Sequence, residues 1–67
     1  MKIYYVSADG DVYYVRAESA KHARIRVYGN DSLTDDSGRR IETYRTSKKK
    51  ALEHKRLTKG YGVHVRF

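Results

Sequence analysis

The residues of this sequence that are best suited to binding chemistry are cations in its last third. Between Thr46 and Gly62 the chain carries one acid, Glu53, and six cations: Lys48, Lys49, Lys50, Lys55, Arg56 and Lys59. Lysine and arginine bind phosphates through charge and hydrogen bonds. Ser47 suits a helix N-cap and Gly60 a helix stop. The sequence therefore predicts a cationic helix over residues 48–58.

This helix has few apolar residues with which to pack. Leu52 and Leu57 project roughly 140° apart, and only Ala51 accompanies them. A helix that buries one face usually carries a wider apolar stripe. Consecutive lysines near its start also oppose the helix dipole, at a few tenths of a kcal/mol each. A phosphate-rich partner would relieve that conflict, which favours a contact surface over the alternatives of a solvated face or a frayed segment.

The net charge of +7 is concentrated in the same part of the chain. Residues 1–38 carry five basic and six acidic side chains, whereas residues 39–67 carry ten basic and two acidic ones. A basic half beside a near-neutral half is typical of proteins with a polyanionic partner. The alternative is a charged surface that keeps a small protein soluble.

The sequence offers little for catalysis or metal binding. The three histidines are His22, His54 and His64, and no two of them are four residues apart, the spacing that places two metal ligands on one face of a helix. The aspartates of residues 31–36 lack the spacing, central glycine and distal glutamate of an EF-hand. There is no cysteine, P-loop or Gly-x-Ser-x-Gly motif. We expect no enzyme, no catalytic residue, no metal and no cofactor.

Chain length and hydropathy limit the protein class. Sixty-seven residues predict a single domain, residues 1–67, with a thin core. The longest apolar run is four residues, and no export signal is visible. We expect a cytoplasmic protein that does not bind a membrane.

The N-terminal residues predict an antiparallel β-hairpin. Asp9-Gly10 favours a two-residue type I′ turn, which sets Ala8 opposite Asp11 and continues to Ile3 opposite Arg16. One face then carries Tyr4, Val6, Tyr13, Val15 and Ala17, and the other carries Ile3, Tyr5, Val12, Tyr14 and Arg16. We assign the first face to the core because it has no arginine. Neither face is clearly polar, so the opposite assignment stays open.

A helix is expected next. Ser19 is a good N-cap, alanines and Val27 recur at helical spacing, and Gly29 or Asn30 suits the helix end. Residues 24–28 also alternate with period two, so a strand there is the competing interpretation. Residues 30–38 have loop composition, and residues 61–67 predict a final strand. Residues 39–46 predict a strand with Ile41 directed inward, and the direction of Tyr44 stays open.

These elements give an α+β domain of order β-β-α-β-α-β. We expect an antiparallel N-terminal hairpin, with both helices packed on one face of the sheet. The other face would then be open, and its tyrosines could stack on bases.

The pattern favours a small, non-enzymatic nucleic-acid-binding protein that makes mostly non-sequence-specific phosphate contacts. DNA and RNA are not distinguished. The expected contact residues are Arg39, Arg40, Arg45, Lys48, Lys49, Lys50, Lys55, Arg56, Lys59, Tyr5, Tyr14 and Arg16.

The alternative is a protein-binding inhibitor of a host machine, of the kind that phages and mobile elements encode, including anti-CRISPR-type inhibitors. Its Tyr-rich and basic surface would bind an acidic or nucleoprotein target. A homodimer through a strand edge is a further alternative for the partner.

Overall fold

The computed structural model describes residues 1–8 and 10–67. The predicted type I′ turn includes Asp9, which lies outside the described residues. Six elements follow one another: β1 (Lys2–Ala8), β2 (Asp11–Ala17), α1 (Ala20–Tyr28), β3 (Glu42–Thr46), α2 (Lys48–Leu57) and β4 (Val63–Arg66). The predicted α+β class and the β-β-α-β-α-β order are confirmed.

The four strands form one mixed sheet in the order β3-β1-β2-β4. β1 pairs antiparallel with β2, and the register runs from Lys2 opposite Ala17 to Ala8 opposite Asp11, as predicted. β3 also pairs antiparallel with β1, whereas β4 pairs parallel with β2. The N-terminal hairpin therefore forms the centre of the sheet, and β3 and β4 form its edges.

Both helices are crossover connections between parallel strands. α1 leads from β2 to β3 in one direction across the sheet, and α2 leads from β3 back to β4 in the other direction. Parallel crossovers are right-handed in nearly all proteins. Two right-handed crossovers that run in opposite directions place their helices on opposite faces of the sheet.

The larger core lies between the sheet and α1. It contains the face that the sequence assigned to the core, with Val6 and Ala23 fully buried at its centre. Its buried members are Tyr4, Val6, Ala8, Val15, Ala17, Ala23 and Ile41. The assignment of this face to a core is confirmed.

A second, smaller core lies on the opposite face, under α2. Ala51 of α2 is fully buried against Tyr14 and Val63, with Tyr5, Val12 and Val65 packed around them. The expectation that both helices pack on one face of the sheet is wrong, because α1 covers one face and α2 covers the other. The scarcity of apolar residues in α2 suggested weak packing, but it could not indicate which face the crossover would cover.

The helix ends follow the local signals. The Ser19 side chain accepts a hydrogen bond from the His22 N–H, and Gly29 ends α1 in the left-handed conformation at φ 81°. Residues 24–28 are helical, so the competing strand interpretation is wrong. Ser47 caps α2 in the same way through the Lys50 N–H. Beyond α2, Gly60 has φ 84° and donates its N–H to the Lys55 carbonyl at 2.9 Å.

β3 is shorter than the predicted strand over residues 39–46. The Asp35 Oδ1 accepts the N–H groups of Ser37 and Arg39, which folds the preceding chain into a turn. Arg39 and Arg40 therefore lie before β3 rather than on it. Ile41 is buried, whereas Tyr44 is on the other side and is exposed. The final strand alternates as predicted, with His64 and Arg66 on the side opposite Val63 and Val65.

No helix in the described ranges, 1–8 and 10–67, is long and apolar enough to cross a membrane.

The packing of α2 predicts the effect of enlarging its buried alanine. Ala51→Leu should lower the free energy of unfolding by about 1–3 kcal/mol, because the extra atoms have no room between α2 and the sheet. Urea unfolding followed by circular dichroism would measure this change.

Lys49→Leu, which adds a leucine at an exposed position of the same helix, is the matched control and should change stability by no more than about 0.5 kcal/mol. Equal stability of the two variants would show that α2 does not pack on the sheet through Ala51.

Candidate nucleic-acid interface

The six cations of the predicted helix lie on the outer side of α2 or just after it, and all are exposed. We call them the basic surface: Lys48, Lys49, Lys50, Lys55, Arg56 and Lys59. At ~100° per residue, four of them lie within an arc of about 120° on one side of Ala51, and these are Lys48, Lys49, Lys55 and Arg56. Lys50 lies on the other flank. The burial of Ala51 thus turns most of the lysines and Arg56 toward solvent on one side.

Within the described part of the chain, no cation of the basic surface forms an ion pair with a carboxylate. Glu53 is the only acid in α2, and it does not pair with its neighbours. The first turn of α2 contains no acid, so its lysines meet the positive end of the helix dipole uncompensated. An anion bound to this side of α2 would reduce the repulsion among the cations and also their repulsion by the helix dipole.

α2 is held on the sheet by a small number of specific contacts. Besides Ala51, the Tyr14 hydroxyl lies 2.7 Å from His54 Nδ1, and the two rings meet edge to face with centroids 5.8 Å apart. The Tyr14 hydroxyl donates to Nδ1 when neutral His54 carries its proton on Nε2. This contact fixes the rotation of α2, and hence the direction in which the basic surface points.

Tyr14 is therefore part of the core under α2 rather than an open base-stacking residue. It is 5% exposed, and Tyr5 beside it is half-buried. The expectation of an open tyrosine face is wrong at Tyr14, because α2 covers that part of the face. Arg16 is exposed on the same face, and its guanidinium lies over the Phe67 ring, 5.9 Å from its centre.

Tyr44 is an accessible aromatic residue that is not among the contact residues expected from the sequence. Its ring stacks on Tyr5, with centroids 4.4 Å apart and planes 15° from parallel, and it is 54% exposed. Tyr44 lies on the same face of the sheet as α2, because it pairs with Tyr5 in the β1–β3 register. No local pattern in the sequence indicates that pairing, so an exposed tyrosine on the α2 face could not be identified from the sequence.

The three arginines expected to join the basic surface do not lie with it. Arg45 pairs with Tyr4 and so lies on the α1 face of β3. Arg40 lines a cavity beside Arg24 of α1. Arg39 lies in the turn before β3, where its carbonyl accepts the Asp35 N–H at 2.8 Å. A contiguous run of positive charge in the sequence is thus divided between two surfaces.

The histidines each have a local partner. Besides His54, His22 Nδ1 lies 2.9 Å from the Ser19 hydroxyl, and His64 Nε2 lies 3.3 Å from Asp11 Oδ1. Among residues 1–8 and 10–67, no group of three side chains with metal-binding atoms comes together.

The burial of Tyr14 predicts an alkaline loss of stability. Desolvation raises the pKa of Tyr14 above its ordinary value of 10.0, and the nearby Tyr44 and Tyr5 add to this effect. A raised pKa in the folded state means that the folded protein holds its proton more tightly than the unfolded chain. The corresponding stability is complete below about pH 10 and is lost as the pH rises through the folded-state pKa.

Tyr14→Phe should therefore have two effects. At pH 7 it should cost about 0.5–1.5 kcal/mol, because the bond to His54 is lost, and stability should then fall less steeply above about pH 10. Urea unfolding over this pH range would measure both, with Tyr61→Phe at a largely exposed ring as the control. An unchanged alkaline slope in Tyr14→Phe would rule out Tyr14 as a source of the effect.

Comparisons of this chain with models of protein families, with curated proteins and with solved structures found no match. The proposals for its function therefore depend on its own residues, their charges and their positions in the fold.

Proposed function

We propose that this protein is a small, non-enzymatic nucleic-acid-binding protein whose basic surface contacts the phosphate backbone. The observation that carries this proposal is the set of six exposed cations on and after α2, none of which pairs with a carboxylate in the described part of the chain. Binding would be largely independent of sequence, because phosphate contacts carry no base information.

The dimensions of α2 suit this role. Lys55 follows Lys48 by seven positions, and Arg56 follows Lys49 by the same offset, which corresponds to about 10 Å along the helix axis. A DNA duplex presents roughly six phosphates over that length, at one per ~1.7 Å. Two pairs of cations at this separation can therefore contact phosphates without bending either partner.

Tyr44 adds a contact that would favour single strands. Its ring is exposed on the face that carries α2, and the Tyr5 ring beneath it holds it in place. An exposed aromatic ring can stack on an unpaired base, whereas the bases of a duplex are already stacked on one another.

The phosphate role of α2 predicts a change in salt dependence. The double variant Lys49→Gln/Arg56→Gln should reduce the slope of log affinity against log salt for duplex DNA by about 2 units, since each lost phosphate contact removes ~0.9. Fluorescence anisotropy of the labelled duplex at several salt concentrations would measure both slopes.

Lys2→Gln/Arg26→Gln removes the same charge at exposed positions outside the basic surface, and it should leave most of the slope intact. Equal losses in the two double variants would indicate a diffuse charge effect and would reject α2 as the contact element. The absence of binding by the parent protein at low salt would reject nucleic-acid binding itself.

A second prediction concerns Tyr44. Tyr44→Ala should weaken binding to a single-stranded oligonucleotide by about 1–3 kcal/mol, the usual contribution of one stacked base, and should leave duplex binding nearly unchanged. Tyr44→Phe keeps the ring and should bind as the parent does. If Tyr44→Phe were as weak as Tyr44→Ala, the hydroxyl rather than stacking would account for the loss.

One observation favours the second candidate, a protein-binding inhibitor of a host machine. Leu57 and Tyr61, in and after α2, are 68% and 83% exposed, and Leu52 is also exposed. Exposed apolar residues that lie together mark interaction surfaces, and tyrosine and arginine are enriched in the hot spots of protein interfaces. For this candidate, Tyr61→Ala would weaken capture of the target more than charge reversal in α2, whereas nucleic-acid binding would show the opposite order.

A further inference from the structure

A second candidate surface lies at the outer edge of β3. An open cavity of about 360 Å³ runs along this edge. Residues at the start of β3 and just before it line this cavity, together with one residue of α1 and one of the preceding loop. The lining residues are Arg24, Leu33, Arg40, Ile41, Glu42, Thr43 and Tyr44. Its volume lies within the range of pockets that bind small ligands or parts of larger ones.

The backbone of β3 leaves hydrogen-bonding groups directed into this cavity. The Ile41 N–H donates outward, to the Leu33 carbonyl, at 2.8 Å. Backbone groups along a strand alternate between its two sides, so those of Thr43 and Arg45 also point outward. β3 is an edge strand in the described sheet. The outward groups of these two residues therefore have no neighbouring strand with which to pair.

Two side-chain atoms of residues that line this cavity are buried and have no hydrogen-bond partner among residues 1–8 and 10–67. These atoms are Arg24 Nε and Thr43 Oγ1. Arg24 and Arg40 also form no ion pair within the described residues, although Glu42 lines the same cavity. Native proteins leave few buried polar atoms without a hydrogen-bond partner, because an unpaired buried donor or acceptor has lost its bonds to water without replacement.

We propose that this edge binds an extended peptide segment that carries a carboxylate. The peptide pairs with the outward backbone groups of Thr43 and Arg45 as a fifth strand, and its carboxylate is held by Arg24 and Arg40. The carboxylate is either the C-terminus of the partner or a glutamate or aspartate side chain. Arginine is suited to this task because its planar fork binds carboxylates through two parallel hydrogen bonds.

A peptide fits these features better than a nucleic acid does. An exposed strand edge offers alternating donors and acceptors, and another strand supplies the complementary alternation. A phosphate backbone supplies acceptors only, so it would leave the outward carbonyls of β3 unpaired. The bond between Ile41 and Leu33 closes one end of the edge, which limits the paired segment to a few residues beside Arg24 and Arg40.

The test is an NMR titration of the ¹⁵N-labelled protein with three eight-residue peptides of alternating threonine and valine. The first has a free C-terminus, the second has an amidated C-terminus and a central glutamate, and the third is amidated and neutral. At least one of the first two should bind about tenfold or more tightly than the third. The Thr43 and Arg45 amide signals should shift most, and the peptide that binds identifies the source of the carboxylate.

Matched variants localise the interaction. Arg24→Gln should weaken binding of the preferred peptide about tenfold, whereas Arg26→Gln, at an exposed position of the same helix, should leave it unchanged. Methylation of alternate peptide nitrogens should abolish binding, because it blocks strand pairing without altering the protein. These readouts are independent of the basic surface, so the peptide proposal and the nucleic-acid proposal can fail separately.

Three results would overturn the proposal. The first is equal binding, or no binding, by all three peptides. The second is a shift of the Thr43 and Arg45 amides by a single-stranded oligonucleotide instead of a peptide, which would assign the cavity to phosphate. The third is a concentration-dependent dimer in which these amides are already protected, which would assign the edge to a second copy of the chain.

Discussion

The handedness of the two parallel crossovers determines the rest of this structure. β2, β3 and β4 all run in the same direction, and the chain moves first one way and then the other across the sheet. Right-handed connections then require α1 and α2 to cover opposite faces. The central hairpin is consequently buried from both sides, which explains why neither of its faces is polar. Tyrosine suits such strands because its ring packs in a thin core while its hydroxyl reaches the edge.

Two cores in 67 residues must both be small, since a domain of this size buries only about 60% of its unfolded surface. The structure meets this limit with alanines at the helix–sheet contacts. Ala23 and Ala51 are both fully buried, and small side chains allow each helix to approach the sheet closely. The Tyr14–His54 contact then fixes the rotation of α2 about its axis, which a single buried alanine cannot do. The lack of an apolar stripe in α2 is therefore compatible with its packing, and it leaves the remaining circumference free to carry charge.

The same arrangement separates two proposed binding surfaces. Cations from residues 48–59 are displayed on and after α2, and Tyr44 is exposed on the same face of the sheet. Arg40 instead faces the edge cavity with Arg24, which comes from a different helix. The α2 face is suited to a phosphate backbone, and the edge is suited to an extended peptide with a carboxylate. Tyr44 lies between the two surfaces, since it is exposed on the α2 face and also lines the edge cavity.

Local chemistry in the sequence was sufficient to predict the elements of this fold. The turn residues predicted the hairpin register, and Ser19 and Ser47 predicted where the helices start. The contrast in charge between residues 1–38 and 39–67 predicted a basic surface in the second half of the chain. Only the tertiary structure decided which elements meet, because strand pairing and helix placement depend on how the whole chain closes on itself. The tertiary structure buried Tyr14, exposed Tyr44 on the α2 face, and placed Arg24 and Arg40 on the same cavity. No pattern of neighbouring residues records those contacts, since each joins segments that are far apart in the sequence.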